Sequence, residues 1–318
     1  MLPLPPATLQ GFANAIVTPV GDGRDLPCGI FGADGRFAPA SRTALSGQRF
    51  TGTPVLPHAD TVQDLPGRYL YGGLARVHFG HFLVETITRL WALAHLDTPP
   101  DAVLFLPMPG RVLRRSLENR LRPLVSAIIG DVPYRQVDTP LRVQELILPT
   151  QGVGHLRLST GTPEYRAFTR TRLEARFAPE GPERLYVSRS RLEGEEKRFD
   201  REPEVEEAMA DADYDIFHPQ EHPLDIQIAC YRAARVIVGA DSSAFHLAAL
   251  VMAPGTRVGL IKRRHRNAVF RAIRRQVEAF SQVDLVAFDP LLPQKKSAAF
   301  APVDLPALLA SLKTEGFL

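Results

Sequence analysis

The chain has 318 residues, of which 45% are hydrophobic and 23% are charged, values typical of a globular protein and not of a disordered, collagen-like or coiled-coil chain. The net charge is only +3, from 38 basic and 35 acidic residues, so charge by itself indicates no nucleic-acid partner. No run reaches the ~18 apolar residues of a membrane span, and the N-terminus is a poor signal peptide. Cys28 and Cys230 form neither a disulfide framework nor a metal-ligand set. We therefore expect a cytoplasmic protein with two domains.

The first part of the chain predicts a loosely patterned segment followed by regular elements. Residues 1–67 are rich in glycine and proline and have short apolar runs, which favours an irregular or β-hairpin-bearing segment. From residue 69 onward the pattern becomes regular. The predicted elements are a helix at about 79–95, a strand at 101–107, a helix at 111–130 closed by Gly130, and a strand at 145–150.

The second part predicts a regular alternation of strands and helices, which is typical of a parallel sheet covered on both faces. The predicted helices are 163–177, 201–212, 223–234 and 243–252, and the predicted strands are 184–189, 214–219, 235–239 and 256–261. We therefore predict two α/β domains, 1–158 and 159–299, with a C-terminal helix in 300–318 that packs back on the first domain. In open parallel sheets, ligands bind beyond the carboxyl ends of the strands, so the loops there are the candidate sites.

The predicted helix at about 79–95 carries a polar stripe on a largely apolar surface. At about 100° per residue, His81, Glu85 and Arg89 fall within one arc around His78. Because such a helix is buried, the stripe faces other polar groups or a water-filled cleft. Three interpretations stay open: a structural network with a Glu85–Arg89 pair, a metal site of His78, His81 and Glu85, and acid/base chemistry on a hydroxyl group. We favour the third.

A candidate anion site follows the strand that ends at Gly239. The chain continues through Asp241, Ser242 and Ser243 into a helix, whose first N–H groups and positive dipole end suit a phosphate. Asp and Ser are also common N-cap residues in any helix. The turn therefore predicts either a phosphate site or an ordinary helix cap.

Further basic residues follow other strands of the second domain. Arg189 and Arg191 come after the strand at 184–189 and are placed to clamp a diphosphate, or to lie in solvent. The basic run 262–266 is open to the same two interpretations. Together these residues predict one domain that binds an anion and another that carries titratable groups.

Three blocks of the sequence resemble the family 61 glycosyltransferases, which include bacterial capsular polysaccharide enzymes. The blocks are GGLARVHFGHFLVETITRLWAL, RLYVSRSR and PLDIQIACYRAARVIVGADSSAFHLAAL, and together they span about residues 68–262. The resemblance implies a GT-B-like fold, in which two Rossmann-like domains face each other across a cleft. It also implies an inverting, metal-independent transfer from a nucleotide sugar.

The resemblance also implies roles for individual residues. It assigns His81 and Glu85 to the acceptor side, where we also place His78 and Arg89. It assigns Arg189, Arg191 and the turn around Ser242 and Ser243 to the donor diphosphate, with Gly239 ending the strand before that turn. His246, one helical turn further, either contacts the donor or is packed. Asp241 departs from the family pattern, because many relatives have His-Gly where this chain has Asp-Ser.

We expect a single displacement. Glu85, or His81 oriented by Glu85, removes the proton of an acceptor hydroxyl, while the arginines and the helix start stabilise the departing diphosphate. The expected partners are a nucleotide-sugar donor and a glycan or glycolipid acceptor, with no cofactor, metal or nucleic acid. Peripheral contact with the inner face of the membrane stays open.

Two other functions stay open. One is a metal-dependent hydrolase that uses His78, His81 and Glu85. The other is a catalytically inactive protein that binds a nucleotide sugar or a glycan, which the acid at Asp241 favours.

Overall fold

The computed structural model describes residues 4, 6–45, 49–194, 199–293 and 301–318. The chain forms two compact units, 1–173 and 174–318, and each contains one large sheet. The division lies inside helix α4 (Pro163–Arg176), later than the predicted boundary after residue 158. The start of this helix belongs to the first unit, where Tyr165 is fully buried beside Gly152.

The first unit is built on a six-stranded mixed sheet. Its strands are β1 (Leu9–Thr18), β2 (Gly29–Phe31), β5 (Gln63–Ala75), β6 (Ala102–Pro107), β7 (Tyr134–Gln136) and β8 (Leu141–Pro149), while β3 (Ala44–Leu45) and β4 (Arg49–Phe50) form a separate antiparallel pair. The sheet order is β2-β1-β8-β5-β6-β7. β1 pairs antiparallel with β2 and β8, whereas β8, β5, β6 and β7 are mutually parallel.

The N-terminal segment confirms the prediction in part. β1 and β2 form an antiparallel pair, as a hairpin-bearing segment implies. β1 also pairs with β8, from Leu9 opposite Pro149 to Val17 opposite Leu141. This long-range pairing leaves no local signal, because the partner strand lies far away along the chain.

The helices of the first unit are shorter and less regular than predicted. A helical segment begins as α1 (Phe79–His81), continues as a π-helix over Phe82–Thr86 and ends as a 3-10 helix over Ile87–Ala94. The predicted helix 111–130 is divided into α2 (Leu113–Leu117) and α3 (Arg122–Ile129). Pro123 lies in the first turn of α3, where the N–H that proline lacks would have no partner within the helix. In the middle of a longer helix the same proline would remove a hydrogen bond, so the predicted helix is interrupted before it. Gly130 ends α3 with φ +68°, as predicted.

The second unit confirms the α/β prediction most directly. Its strands are β9 (Arg184–Val187), β10 (Asp215–Phe217), β11 (Val236–Ala240), β12 (Arg257–Ile261) and β13 (Asp284–Phe288), and its helices are α5 (Glu202–Asp211), α6 (Leu224–Ala233), α7 (Ser243–Val251), α8 (Asn267–Ser281) and α9 (Leu305–Thr314). All neighbouring strands are parallel, in the order β10-β9-β11-β12-β13. This is a doubly wound order, and the sequence order of the strands reverses between β9 and β11.

The C-terminal helix α9 belongs to the second unit, so the expectation that it packs on the first domain is wrong. Leu305, Leu308 and Leu312 are buried in a core shared with Val205 and Met209 of α5. Spacings of three, four and seven residues place the three leucines on one face of the helix, and that face is covered by the second sheet. Residue 300, the first residue assigned to this helix, lies outside the described residues.

Within the described part of the chain, no helix is both long and apolar enough to cross a bilayer.

Candidate functional site

The first candidate site lies beyond the carboxyl ends of two neighbouring parallel strands. Arg76 directly follows β5 and His155 follows β8, while His81 and Glu85 lie on the helical segment after β5. Glu85 Oε1 is 3.0 Å from His81 Nδ1 and 2.9 Å from His155 Nε2, and Oε2 is 3.2 Å from Arg76 Nη1. We call these four residues the Glu85 cluster.

Glu85 is ionised throughout the accessible pH range. Burial raises the pKa of its enclosed carboxyl, but hydrogen bonds from His155 and His81 and the charges of His81 and Arg76 more than offset this effect. The pKa of Glu85 therefore falls to about 2. Its side chain has no exposed surface, and all of its close contacts are donors or cations. A carboxylate held in this way accepts hydrogen bonds but is poorly suited to accept a proton.

The ionised carboxylate decides where the ring protons lie. A carboxylate cannot donate, so His81 Nδ1 and His155 Nε2 carry hydrogens and donate to Glu85 Oε1. Arg76 Nη1 also lies 3.2 Å from His81 Nδ1, and its hydrogen is directed to Glu85 Oε2. In the neutral rings, His81 Nε2 and His155 Nδ1 keep their lone pairs. The two side chains are 27% and 21% exposed, so the cluster presents imidazole bases that an enclosed carboxylate orients.

The irregular helix explains why the predicted stripe is incomplete. A π-helix closes i→i+5 hydrogen bonds and a 3-10 helix closes i→i+3 bonds, so Phe82–Thr86 and Ile87–Ala94 do not advance at about 100° per residue. His81 still reaches Glu85, but Arg89 does not follow them. Thr86 stabilises the turn, since its hydroxyl both accepts from the Arg76 N–H (2.9 Å) and donates to the Arg76 carbonyl (3.1 Å).

Arg89 is a core residue and does not join the acceptor-side cluster, contrary to the prediction. Its guanidinium donates to the carbonyl oxygens of Pro149, Ala40 (3.0 Å) and Arg42 (2.7 Å) and lies over the ring of Tyr71. Burial lowers its pKa to about 10. Arg89 thus ties N-terminal loops to the end of β8, and the predicted Glu85–Arg89 pair is replaced by these contacts.

Sequence reasoning missed His155 and Arg76. The loop that carries His155 is held on the helical segment by Trp91 Nε1, which donates to the Thr150 carbonyl (2.9 Å), and by Gly152 N–H, which donates to the Thr88 carbonyl (2.8 Å). A Cβ on Gly152 would lie 2.7 Å from Tyr165 Cβ, so this close approach requires glycine. Both missed residues follow the carboxyl ends of parallel strands, which is the signal that could have found them.

His78 lies beside the cluster without joining the contacts to Glu85. Its ring centroid is 5.3 Å from that of His81, and its pKa is lowered by burial and by the neighbouring charges of His81 and Arg76. The group that could hold a metal ion consists of His81, Glu85 and His155, whose ligand atoms lie within 4.8 Å of one another. The metal site predicted from the sequence therefore has His155 in place of His78.

The second candidate site lies beyond the carboxyl ends of β9, β11 and β12, at the switch point of the second sheet. Asp241 is fully buried; its Oδ1 accepts from the Arg263 main-chain N–H (2.9 Å), and its Oδ2 lies 3.5 Å from Arg264 Nε. Ser242 is the N-cap residue of α7. The charges of Asp241 and Arg264 act on Arg189, and those of all three arginines act on Asp241, so Arg189, Asp241, Arg263 and Arg264 form one electrostatic group of four residues. We call them the arginine cluster.

The charges of the arginine cluster are strongly coupled. Burial raises the pKa of Asp241, although the Arg263 N–H and the guanidinium groups act in the opposite direction. Burial and the charges of Arg189 and Arg264 lower the pKa of Arg263 to about 9. Crowded cations of this kind bind an anion at lower cost than isolated ones, because the anion relieves their mutual repulsion.

A further carboxyl group, that of Glu202, adjoins the arginine cluster. The sequence analysis did not identify it. Its Oε1 accepts from the Arg189 N–H (3.0 Å) and from the Tyr186 hydroxyl (3.4 Å). Burial raises its pKa to about 7, with the nearby Glu206 acting in the same direction. Glu202, the first residue of α5, is thus a buried carboxyl with a pKa of about 7, and it contacts the main chain just beyond β9.

The remaining donor-side residues are distributed differently from the prediction. Arg191 pairs with Glu221 (2.9 Å) on the surface, where its side chain is 62% exposed. Ser243 is half-buried at the start of α7. His246 Nδ1 contacts Gln276 Oε1 on α8, as the packed interpretation of this residue implies. At Gly239, a Cβ would lie 2.7 Å from the Val187 carbonyl oxygen, so the residue allows β9 and β11 to pack closely.

The basic run 262–266 turns inward over its first three residues. Lys262 Nζ binds Asp289 Oδ2 at 2.6 Å, and Arg263 and Arg264 contact Asp241 as described above. His265 Nε2 lies 3.0 Å from the Leu292 carbonyl. Arg263 and Arg264 of this run therefore belong to the arginine cluster, and Lys262 forms a separate ion pair.

A cavity of about 770 Å³ lies elsewhere in the first unit, between α2, α3 and β7. Arg114, Glu118 and Tyr134 are among its lining residues, but no member of the Glu85 cluster lines it. Its walls contain an Arg114–Glu118 ion pair on the surface. The cavity is thus separate from the titratable groups and does not identify the chemistry.

Comparison with known proteins identifies one family. The model of the family described as Glycosyltransferase 61 matches residues 79–259. The matched part contains His81, Glu85 and His155 of the first site and Arg189, Asp241 and Ser242 of the second. Arg76, Arg263 and Arg264 lie outside it. No curated protein matches the chain.

Proposed function

The chain belongs to the glycosyltransferase 61 family, and from this premise we propose that it transfers a sugar, with inversion, from a nucleotide-diphosphate donor to a hydroxyl group of a glycan or glycolipid. The Glu85 cluster activates the acceptor, and the arginine cluster binds the donor diphosphate. The observation that carries this proposal is the orientation of His81, whose Nδ1 lies 3.0 Å from the enclosed carboxylate of Glu85.

In this mechanism His81 is the general base. Its Nε2 accepts the proton of the acceptor hydroxyl as that oxygen forms a bond to the anomeric carbon. The bond between that carbon and the diphosphate oxygen breaks, and its electron pair leaves with the diphosphate. Glu85 stabilises the imidazolium that results and keeps the ring in the correct tautomer, as the buried carboxylate of a catalytic triad does.

The same contacts favour His81 over Glu85 as the base in this proposal. Glu85 is enclosed, has a pKa of about 2 and is held by Arg76, His81 and His155. It is therefore a positioning residue in this proposal, and His81 is the base. An enclosed carboxylate is also unable to attack a sugar as a nucleophile, which supports one displacement with inversion and not two.

The donor half of the proposal depends on the second unit. Ser242 and the N-terminus of α7 supply hydroxyl and N–H donors, and the arginines supply the positive charge that stabilises a departing diphosphate. These cations take the role that a divalent metal has in other transferases, which supports transfer without a metal. The resemblance to capsular polysaccharide enzymes extends the proposal to bacterial surface polysaccharide synthesis at the cytoplasmic face of the membrane.

The test compares His81→Asn with His95→Asn, a histidine near the end of the same helical segment that lies outside the cluster. Loss of a positioned base lowers turnover about 100- to 10,000-fold. We expect this loss of transfer in His81→Asn, with unchanged binding of the nucleoside diphosphate, and wild-type transfer in His95→Asn. Full transfer by His81→Asn would contradict the assignment. The donor is first identified by thermal shift with a nucleotide-sugar panel, since ligands raise apparent stability by mass action.

A second candidate function is a metal-dependent hydrolase. The observation that favours it is the set of His81, Glu85 and His155 ligand atoms within 4.8 Å. The positive charge of Arg76, 3.2 Å from the same carboxylate, opposes a divalent cation there. Stoichiometric zinc in the purified protein, together with hydrolysis that chelators abolish, would support this function over transfer.

The inactive binding protein is the remaining alternative. It predicts tight binding of a nucleotide sugar with neither transfer nor donor hydrolysis across the panel. Transfer of radiolabelled sugar to any glycan acceptor would exclude it.

A further inference from the structure

We infer that Arg264 is a ligand of the donor diphosphate and that Asp241 is the positioning residue that holds it there through Arg263, an inference that rests on the proposed donor site. Arg264 and Arg263 follow β12 and lie beyond the residues that match the family. The inference also gives a role to Asp241, the acid that the sequence places in a turn expected to bind an anion.

The side chain of Asp241 faces the loop after β12. Its main-chain N–H donates to the Ile261 carbonyl (2.8 Å), its carbonyl accepts from Arg263 Nε (2.9 Å), and its Oδ1 accepts from the Arg263 N–H (2.9 Å). Three hydrogen bonds therefore join residue 241 to the end of β12 and the residues after it. Together they determine the path of the chain into Arg264.

Two other roles for Asp241, capping of α7 and binding of a ribose hydroxyl, do not fit these contacts. Capping of α7 would need an N–H group at the start of that helix to donate to the Asp241 carboxylate, but Oδ1 accepts from the Arg263 N–H and Oδ2 faces Arg264. Binding of a ribose hydroxyl would need an exposed carboxylate, but Asp241 is fully buried. Positioning of the loop after β12 is the role that its contacts support.

Of the two arginines that contact Asp241, Arg264 is the one that a ligand can reach. Its side chain is 30% exposed, and its Nε is 3.5 Å from Asp241 Oδ2 without a hydrogen bond. Ser242 Oγ, which is almost fully buried at the start of α7, also has no hydrogen-bond partner among the described residues. Arg189, Arg263 and Arg264 carry three positive charges against the carboxyl groups of Asp241 and Glu202. A diphosphate complements the positive charge that remains.

The experiment measures binding of inorganic pyrophosphate to the full chain by calorimetry. Removal of a charge-assisted hydrogen bond weakens binding by about tenfold or more, and we expect this loss in Arg264→Gln. Arg274→Gln is the matched control, because Arg274 pairs with Glu278 on the exposed side of α8. We expect this control to bind pyrophosphate like the wild type.

Two further variants separate positioning from charge. Asp241→Ala removes a negative charge, so electrostatics alone predicts tighter pyrophosphate binding, whereas loss of positioning predicts binding weakened about tenfold. Asp241→Asn keeps an oxygen for the Arg263 N–H, and we expect it to restore most of the affinity. Thermal unfolding identifies variants that fail to fold. Wild-type pyrophosphate affinity in Arg264→Gln, or equal or tighter binding in Asp241→Ala, overturns the inference.

The outcomes also distinguish this inference from the proposed function. Pyrophosphate binding that depends on Arg264 and Asp241, in a protein that transfers no sugar, supports the inference and contradicts the proposed function. Normal sugar transfer with pyrophosphate affinity unchanged in both variants supports the function and overturns the inference.

Discussion

Glu85 and Asp241 are both buried carboxylates next to arginines, yet their pKa values move in opposite directions. Glu85 has two imidazole N–H donors and a guanidinium within 3.2 Å. Asp241 has one hydrogen bond to Oδ1, while Oδ2 has no hydrogen-bond partner among the described residues. The comparison shows that hydrogen bonds to the ionised form, and not burial or nearby charge alone, decide whether a carboxylate stays charged.

Glu202 extends the comparison within the second unit. It has an N–H donor from Arg189 and a longer contact to Tyr186, and burial raises its pKa to about 7. The first unit therefore holds a buried carboxyl whose pKa is lowered to about 2. The second unit holds two buried carboxyls, Asp241 and Glu202, whose pKa values are raised by burial.

The largest expected effect comes from removing the charge at Glu85. Glu85→Gln leaves the imidazolium of His81 without its anion, and the amide group meets Arg76 as a second donor. We expect the rate of transfer at saturating donor to fall about 100-fold or more, with unchanged pyrophosphate affinity. An unchanged rate would show that the Glu85 cluster takes no part in the reaction.

Arg89→Met tests whether the third predicted member of the stripe is structural. The change leaves the carbonyl oxygens of Pro149, Ala40 and Arg42 without their donor, and unsatisfied buried acceptors cost about 1–3 kcal/mol each. We expect the free energy of unfolding in urea to fall by about 3 kcal/mol or more. We expect the folded variant to keep the wild-type rate of transfer. A lower rate without destabilisation would show that Arg89 acts in the functional site and not in the core.

Glu202→Gln tests the raised pKa of Glu202. Because the folded pKa of about 7 lies above the ordinary 4.5, folding binds a proton between these values, and the wild-type stability contributed by this group falls as pH rises from about 4.5 to 7. Over this pH range the contribution of Glu202 to the free energy of unfolding falls by at most about 3 kcal/mol. The variant lacks this ionisation, so its stability relative to the wild type should increase over the same range in urea unfolding. A constant difference would contradict the shifted pKa.

The smallest effect is expected for Arg191→Gln. Arg191 pairs with Glu221 on the surface, and exposed pairs contribute about 0–1 kcal/mol. We expect pyrophosphate affinity to stay within about twofold of the wild type, since a rim charge adds little. A tenfold loss of pyrophosphate affinity would support the diphosphate clamp of Arg189 and Arg191 that the sequence predicts.

Local signals predicted much of the second unit. The alternation of short apolar strands with helices predicted a parallel sheet, and β9 to β12 and α4 to α7 lie within a few residues of their predicted positions. The helix α8 and the strand β13 were not predicted. The assignment of α9 failed because its apolar face shows that a partner exists without showing which sheet provides it.

The sequence by itself determined the His81–Glu85 spacing, the Asp241–Ser242 turn at a strand end and the family to which these blocks belong. Only the tertiary structure decided that Arg76 and His155 meet Glu85, that Arg89 turns into the core, and that Asp241 holds the loop of Arg264. The reason is physical: periodicity records contacts between residues that are near in sequence. Strand pairing, a π-helical turn and loops from distant strands bring together residues whose separation leaves no periodic signal.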